Sequence, residues 1–62
     1  MQLNNGAQVL AHTEDNSTVL AHFRGEYVTW CVDPNGNAYW GHYFNQDIIA
    51  ATDDFVERTK ND

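Results

Sequence analysis

Residues 7–44 contain four short runs rich in apolar, aromatic and threonine side chains, a composition typical of β-strands. Short turn-forming segments separate these runs, which we predict to be four strands. The predicted strands cover residues 7–13, 17–23, 27–32 and 38–44. The turns between them are Glu14-Asp15-Asn16, Arg24-Gly25 and Pro34-Asn35-Gly36. Because each turn fits a hairpin, the strands are predicted to form an antiparallel meander.

The turns also predict which residues face each other across the sheet. Pro34 presets the backbone of a type I turn and Gly36 supplies a left-handed residue, so residues 34–36 form a three-residue loop. The pairs expected between strands 3 and 4 are Val32–Ala38, Cys31–Tyr39, Trp30–Trp40, Thr29–Gly41, Val28–His42 and Tyr27–Tyr43. Those between strands 2 and 3 are Val19–Trp30, Ala21–Val28 and Phe23–Glu26. In the first hairpin Leu10 is expected to face Leu20.

Residues 45–60 change to the 3.6-residue period of an amphipathic helix. Asn45 is the expected N-cap, and Phe44 and Ile49 are spaced for a hydrophobic staple. The apolar stripe consists of Ile48, Thr52, Phe55 and Thr59, flanked by Ile49, Ala51 and Val56. We expect this stripe to pack on the sheet face that holds both tryptophans. The predicted fold class is α+β: a four-stranded antiparallel meander followed by one C-terminal helix packed on one sheet face (ββββα).

A single helix covers one face of the sheet, so the expected register leaves the other face open. That face carries leucine and tyrosine and no charged residue, whereas solvated sheet faces usually carry Lys, Glu and Thr. Tyrosine-rich surfaces without charges are typical of interface cores. The candidate interface residues are Leu10, Leu20, Tyr27, Tyr39 and Tyr43. We expect a homodimer through this face, and pairing through the free edge of strand 4 is the rival geometry.

With 62 residues the chain is a single small domain, 1–62, in which the polar residues 1–6 are expected to fray. A chain of this size buries only about 60% of its unfolded surface, so its core is marginal. One cysteine excludes an internal disulfide, which makes self-association a candidate source of stability. The lone thiol and the lack of a signal-peptide pattern favour a cytoplasmic location. No apolar run has membrane-spanning length, so no membrane partner is expected.

Nine acidic and three basic side chains give a formal charge of -6, which argues against direct binding of nucleic acid. Three carboxylates, Asp47, Asp54 and Glu57, are expected along one outward face of the helix. The simplest interpretation is a solvated face. The alternative is an acidic inhibitor that mimics nucleic acid and occupies the basic groove of a nuclease or DNA-binding protein.

The histidines and the cysteine are candidates for a metal site or a nucleophile. The expected register places His12 and His22 roughly 13 Å apart, too far for a shared metal. It places Cys31 roughly 10 Å from His12, too far for a thiol–imidazole pair. His42 is expected on the core face as a packed histidine. We therefore expect no catalytic residue, metal or cofactor, and Gly41 marks a bulge or a close approach by another backbone.

These features favour a small non-enzymatic protein-interaction module that self-associates and binds a protein partner of unknown identity. The acidic nucleic-acid mimic is the second hypothesis. The third is a small-molecule binder or enzyme that uses the tyrosines, histidines and cysteine of the open face. Salt separates the first two hypotheses, because binding by a mimic weakens steeply as ionic strength rises.

Overall fold

The computed structural model describes residues 2–60 and contains one antiparallel sheet whose strands follow sequence order. The elements are β1 (Gln8–His12), β2 (Thr18–Phe23), β3 (Glu26–Val32), β4 (Ala38–Tyr43) and α1 (Ile48–Lys60). The helix packs against β2 and β3. The predicted α+β fold, a meander followed by one helix on the sheet, is confirmed. Within residues 2–60 no helix has the length and apolar character needed to cross a membrane.

The hairpin turns form as their residues predict. In the β3–β4 turn the Asp33 N–H donates to the Asn37 carbonyl oxygen at 3.0 Å, and Gly36 takes a φ of 85°. In the β1–β2 turn Asn16 takes the left-handed position with a φ of 64°. Glycine and asparagine tolerate these angles better than other residues, which explains their positions. The β2–β3 register agrees with the prediction: Val19–Trp30, Ala21–Val28 and Phe23–Glu26.

The helix lies on the sheet face opposite to the one predicted. Thr29 Oγ1 donates to Asp54 Oδ2 at 2.5 Å, and Arg58 Nη1 donates to Cys31 Sγ at 3.4 Å. Thr29 and Leu20, which share this face, are both buried. The helix therefore covers the face that the sequence predicted to be open, and its predicted packing on the tryptophan face was wrong.

The N-terminal segment covers the other face, which explains why the helix does not. Leu3 is 3% exposed and belongs to the core cluster of that face. The other buried members are Ala7, Val19, Ala21, Val28, Trp30 and Val32. Asn4 donates from its backbone N–H to the Gly36 carbonyl at 3.2 Å and from Nδ2 to the Asn35 carbonyl at 3.1 Å. This packing contrasts with the fraying expected of residues 1–6, of which Met1 lies outside the described residues.

Strand β4 pairs with β3 in the predicted register only next to the turn. Val32–Ala38 and Cys31–Tyr39 are the confirmed pairs. The register then shifts by one residue, and the new pairs are Thr29–His42 and Val28–Tyr43. An inserted residue of this kind is a β-bulge, and it moves every later side chain to the opposite face. The predicted pairs Trp30–Trp40, Thr29–Gly41, Val28–His42 and Tyr27–Tyr43 were therefore wrong.

Gly41 permits the packing seen at the bulge. The Trp30 indole lies so close to Gly41 that an added Cβ would sit 2.6 Å from Trp30 Nε1 and 2.8 Å from Tyr43 Cε1. The Trp30 indole thus occupies the space where a side chain at position 41 would lie. Trp40, expected beside it, is displaced and is 76% exposed. The predicted bulge at Gly41 is confirmed, although a side chain and not another backbone makes the close approach.

A second irregularity occurs in β1. Val9 pairs with Ala21, and Ala11 pairs with Leu20, so Leu10 has no partner directly opposite it. The predicted Leu10–Leu20 pair was wrong for this reason. Leu10 is left partly exposed at the free edge of the sheet.

The helix begins later than the sequence predicts. Asp47 is the N-cap, because its Oδ1 accepts the Ala50 N–H at 2.9 Å. Asn45 lies in the connection instead, with a left-handed φ of 51°. Ile49 is 74% exposed, so the predicted staple with Phe44 does not form.

The helix face that meets the sheet is rotated away from the predicted stripe. Ala51 is fully buried, and Asp54 and Arg58 of the same face reach β3. Ile48 and Val56 are exposed. The small Ala51 side chain lets the helix backbone approach the sheet, and polar contacts complete the interface.

Candidate functional site

A polar cluster between α1 and the sheet is centred on Asp54. One carboxylate oxygen, Oδ2, accepts hydrogen bonds from Thr29 Oγ1 at 2.5 Å and from His42 Nδ1 at 2.9 Å. The same oxygen lies 3.5 Å from Arg58 Nε, one helical turn further along α1. The cluster thus joins the helix to β3 and β4 through a single carboxylate.

Arg58 extends the cluster to the backbone of β4. Its Nη2 donates to the Trp40 carbonyl oxygen at 2.5 Å, and its Nη1 donates to Cys31 Sγ at 3.4 Å. Its Nε also lies 3.3 Å from His42 Nδ1. If His42 Nδ1 carries the hydrogen that it donates to the Asp54 carboxylate, it has no lone pair with which to accept a hydrogen bond from Arg58. The Arg58 Nε–H then points at the Asp54 carboxylate, and the positive guanidinium compensates the negative charge of that carboxylate.

The electrostatics of the cluster keep Asp54 ionised. Partial burial by itself raises the pKa of the Asp54 carboxyl. Hydrogen bonds from Thr29 and His42, together with the charges of His42 and Arg58, outweigh burial and hold the pKa below its usual value. An ionised Asp54 is therefore the state in which all three of its partners are satisfied.

Strand β4 carries three exposed aromatic side chains. Trp40 is 76% exposed, Tyr43 58% and Tyr39 43%. The rings of Tyr39 and Trp40 contact each other with centroids 5.2 Å apart and planes at 72°. On the opposite face Trp30 Nε1 donates to the Tyr43 hydroxyl at 3.4 Å, with the ring centroids 6.3 Å apart. We call Tyr39, Trp40 and Tyr43 the aromatic edge.

The backbone of the aromatic edge is strained at Trp40. Its φ is 53°, a left-handed angle that bulky residues rarely adopt. The Trp40 carbonyl is held by Arg58, which is in turn held by Asp54. The polar cluster and the aromatic edge are therefore connected, because Arg58 links Asp54 to the backbone of the bulge at Trp40.

The predicted interface residues do not share one open face. Leu20 is 5% exposed beneath the helix, and Tyr27 is half-buried with its ring 5.1 Å from that of His22. Tyr39 is on the helix side of the sheet, whereas the bulge turns Tyr43 to the other side. Leu10 lies at the opposite edge. The expectation that these residues form one open sheet face was wrong because the helix covers that face.

The three carboxylates of the predicted acidic face, Asp47, Asp54 and Glu57, do not lie on one face of the helix. Asp47 caps the helix, and Glu57 is exposed. Asp54 points at the sheet. The expectation that all three lie along one outward face was wrong because the helix is rotated to place Asp54 and Arg58 over β3 and β4.

His42 lies on the helix face beside Asp54, not on the core face as predicted. An imidazole oriented by a carboxylate is an arrangement used in acid–base catalysis. Here the same carboxylate oxygen also holds Thr29 and Arg58, which ties together three structural elements. Among residues 2–60 no three His, Cys, Asp or Glu side chains are grouped to hold a metal ion.

A shallow cavity of about 510 Å³ lies between the β1–β2 and β3–β4 turns, away from this cluster. Val32 and Pro34 form apolar parts of its wall, and Asp15 and Asp33 supply carboxylates. Hydrogen bonds from Ser17 and Thr13 lower the pKa of Asp15 to about 2. A backbone hydrogen bond from Asn37 lowers the pKa of Asp33. Both carboxylates therefore act first as turn-stabilising acceptors.

Sequence reasoning missed the polar cluster because its members come from three elements. Asp54 and Arg58 are spaced for an i,i+4 ion pair, which was a usable signal. A glycine beside a tryptophan in mid-strand was a second signal, since it marks a position where a side chain does not fit. Compared with known protein families, curated proteins and solved structures, the chain shows no match.

Proposed function

We propose that the protein is a small non-enzymatic protein-interaction module that forms a homodimer through β4, with Trp40 as the anchor of the interface. The observation that carries this proposal is the 76% exposure of Trp40 on an edge strand. Tryptophan and tyrosine dominate the binding energy of many interfaces, because each removes a large rigid ring from water.

The backbone conformation of Trp40 supports the same proposal. A left-handed conformation costs a non-glycine residue about 1–2 kcal/mol. Strained residues of this kind cluster at binding and active sites, where the surrounding structure holds them in place. Arg58 supplies such a constraint at Trp40 through the backbone carbonyl. A binding role for the exposed Trp40 indole would explain why the chain retains this backbone strain.

A second copy of the chain fits β4 for electrostatic and geometric reasons. Residues 38–44 contain no Asp, Glu, Lys or Arg, so two chains of formal charge -6 meet there without opposing carboxylates from that strand. A standard interface buries about 800 Å² on each copy, roughly a fifth of the 4075 Å² surface of this chain. The bulge interrupts a continuous edge-to-edge ladder, so the aromatic side chains carry most of the contact.

Analytical ultracentrifugation of a Trp40→Ala variant tests the proposal. We expect the natural chain to dimerise at micromolar concentration, and the variant to raise the dimer dissociation constant about 30-fold or more, as loss of a hot spot does. Ile49→Ala is the matched control, because it removes an equally exposed apolar side chain from the helix. A monomeric natural chain, or a Trp40→Ala protein that dimerises normally, would overturn the proposal.

The acidic-mimic hypothesis has less support from the geometry. One of its three carboxylates, Asp54, is engaged by Thr29, His42 and Arg58. Salt separates the two ideas. Self-association through aromatic side chains should persist as salt rises, whereas binding of the carboxylates to a basic protein should weaken steeply.

A further inference from the structure

Two registers are available to the end of β4, and they differ by the one residue inserted at the bulge. In the regular register, which the β3–β4 turn alone predicts, Trp40 faces Trp30 on the core face. In the bulged register of the structure, Val28 pairs with Tyr43 and Trp40 is displaced into solvent. The difference is confined to residues 40–44, since Ala38 and its neighbour pair identically in both.

Each register places a different aromatic side chain against Trp30. In the bulged register this is Tyr43, whose hydroxyl accepts from Trp30 Nε1 at 3.4 Å. In the regular register the Trp40 indole takes that place, and Tyr43 turns towards the helix side. An aromatic ring packs against Trp30 in either register, so contacts elsewhere must contribute to the preference for the bulged one.

The contacts from α1 to β4 are specific to the bulged register. His42 reaches Asp54 only on the helix side of the sheet, where the bulge places it. Arg58 Nη2 donates to the Trp40 carbonyl, whose direction depends on the left-handed φ of 53°. A regular strand would turn both groups away from the helix.

We propose that Asp54 and Arg58 select the bulged register of β4 and thereby control whether Trp40 is presented to a partner. The importance of Trp40 rests on the proposed function, but the register itself is a property of the free chain. Because a partner at Trp40 binds the bulged register alone, its binding and the contacts made by Arg58 and Asp54 stabilise each other.

Solution NMR tests this proposal with Arg58→Ala, Arg58→Lys and the control Lys60→Ala, each at a concentration where sedimentation shows only monomer, because a dimer would itself bury Trp40. Lysine keeps the positive charge but cannot engage Asp54, Cys31 and the Trp40 carbonyl together. Backbone contacts Val28–Tyr43 and Thr29–His42 report the bulged register, and Val28–His42 and Tyr27–Tyr43 report the regular one. Hydrogen exchange of the Trp40 indole N–H provides a second readout.

We expect bulged contacts in the natural chain and in Lys60→Ala, and regular contacts in Arg58→Ala. Exchange of the Trp40 indole should slow about ten-fold or more in Arg58→Ala, because the ring becomes buried. Arg58→Lys should lie between the two. Bulged contacts in a folded Arg58→Ala protein would overturn the proposal. So would failure of both Arg58 variants to fold, because Arg58 would then be needed for the fold itself.

The outcome is separable from that of the proposed function. A register change in Arg58→Ala with a monomeric natural chain would leave register control standing and remove the homodimer. A dimer that depends on Trp40, with no register change in Arg58→Ala, would leave the homodimer standing and remove register control.

Discussion

At the scale of single residues, Gly41 makes room for the Trp30 indole in the bulged register. The Trp30 indole needs the space above position 41, and only a residue without a side chain leaves it free. In this register the strand holds one inserted residue and Trp40 lies off the core face. Gly41 thus acts through the packing of its neighbours and not through an unusual backbone angle of its own.

Replacing Gly41 by alanine should destabilise the fold by about 1–3 kcal/mol, the usual cost of overpacking. The new methyl group would lie 2.6 Å from Trp30 Nε1 and 2.8 Å from the Tyr43 ring. Urea unfolding measures the loss. Gly25→Ala is a useful comparison, because its φ of 82° strains alanine while its added Cβ meets nothing within 4 Å. Unchanged stability in Gly41→Ala would contradict the close approach.

The residue signals in the sequence indicated a bulge or a close approach at Gly41 but not which residue it displaces. A mid-strand glycine indicated irregular pairing at position 41. Which residue would be displaced depended on the position of the Trp30 ring, a tertiary contact that strand periodicity does not encode. The Asp54–Arg58 spacing permits an ion pair, but we predicted Asp54 on an outward face, and nothing in the spacing indicates its contact with Thr29 or that of Arg58 with Trp40.

At the scale of elements, turn chemistry predicted the meander and the β2–β3 register, because short loops leave few ways to pair adjacent strands. The face chosen by the helix was not predictable in the same way. Both sheet faces carry apolar residues, and the competitor for the tryptophan face is the short segment containing Leu3 and Ala7. Its polar composition concealed the single leucine that packs into the core.

Leu3→Ala should therefore cost far more than its position near the chain start indicates. Truncating a buried leucine typically costs about 2–5 kcal/mol, a large part of the stability of a small domain. Leu10→Ala is the matched control, since Leu10 is 43% exposed and Leu3 is 3% exposed. Thermal unfolding followed by near-ultraviolet circular dichroism, which reports the tryptophan environment, measures both variants. Equal melting temperatures would show that Leu3 is not part of the core.

At the scale of the whole molecule, ionised carboxylates stabilise separate parts of the same fold. Asp15 and Asp33 accept hydrogen bonds inside two turns, while Asp54 joins the helix to the sheet. The pKa of each of the three lies below its usual value. Acid therefore acts on the two turns at one end of the sheet and on the packing of the helix at once.

Stability should fall as pH drops below about 4, because the unfolded chain then binds protons that the folded chain does not. The stabilisation from a carboxyl with a lowered pKa is fully present above the unfolded pKa and is lost as pH falls through the folded pKa. For Asp15 this window extends from 3.8 to about 2. Asp54 contributes in the same direction, since the hydrogen bonds and charges around it outweigh its burial.

Chemical unfolding at a series of pH values isolates the contribution of Asp54. In Asp54→Asn the free energy of unfolding should depend less steeply on pH below about 4 than in the natural chain, because one proton-linked group is gone. Thr29→Val should fall between them, since it removes the 2.5 Å hydrogen bond and lets the pKa of Asp54 rise. Identical pH slopes in the natural chain and Asp54→Asn would mean that the carboxylate does not hold the helix to the sheet.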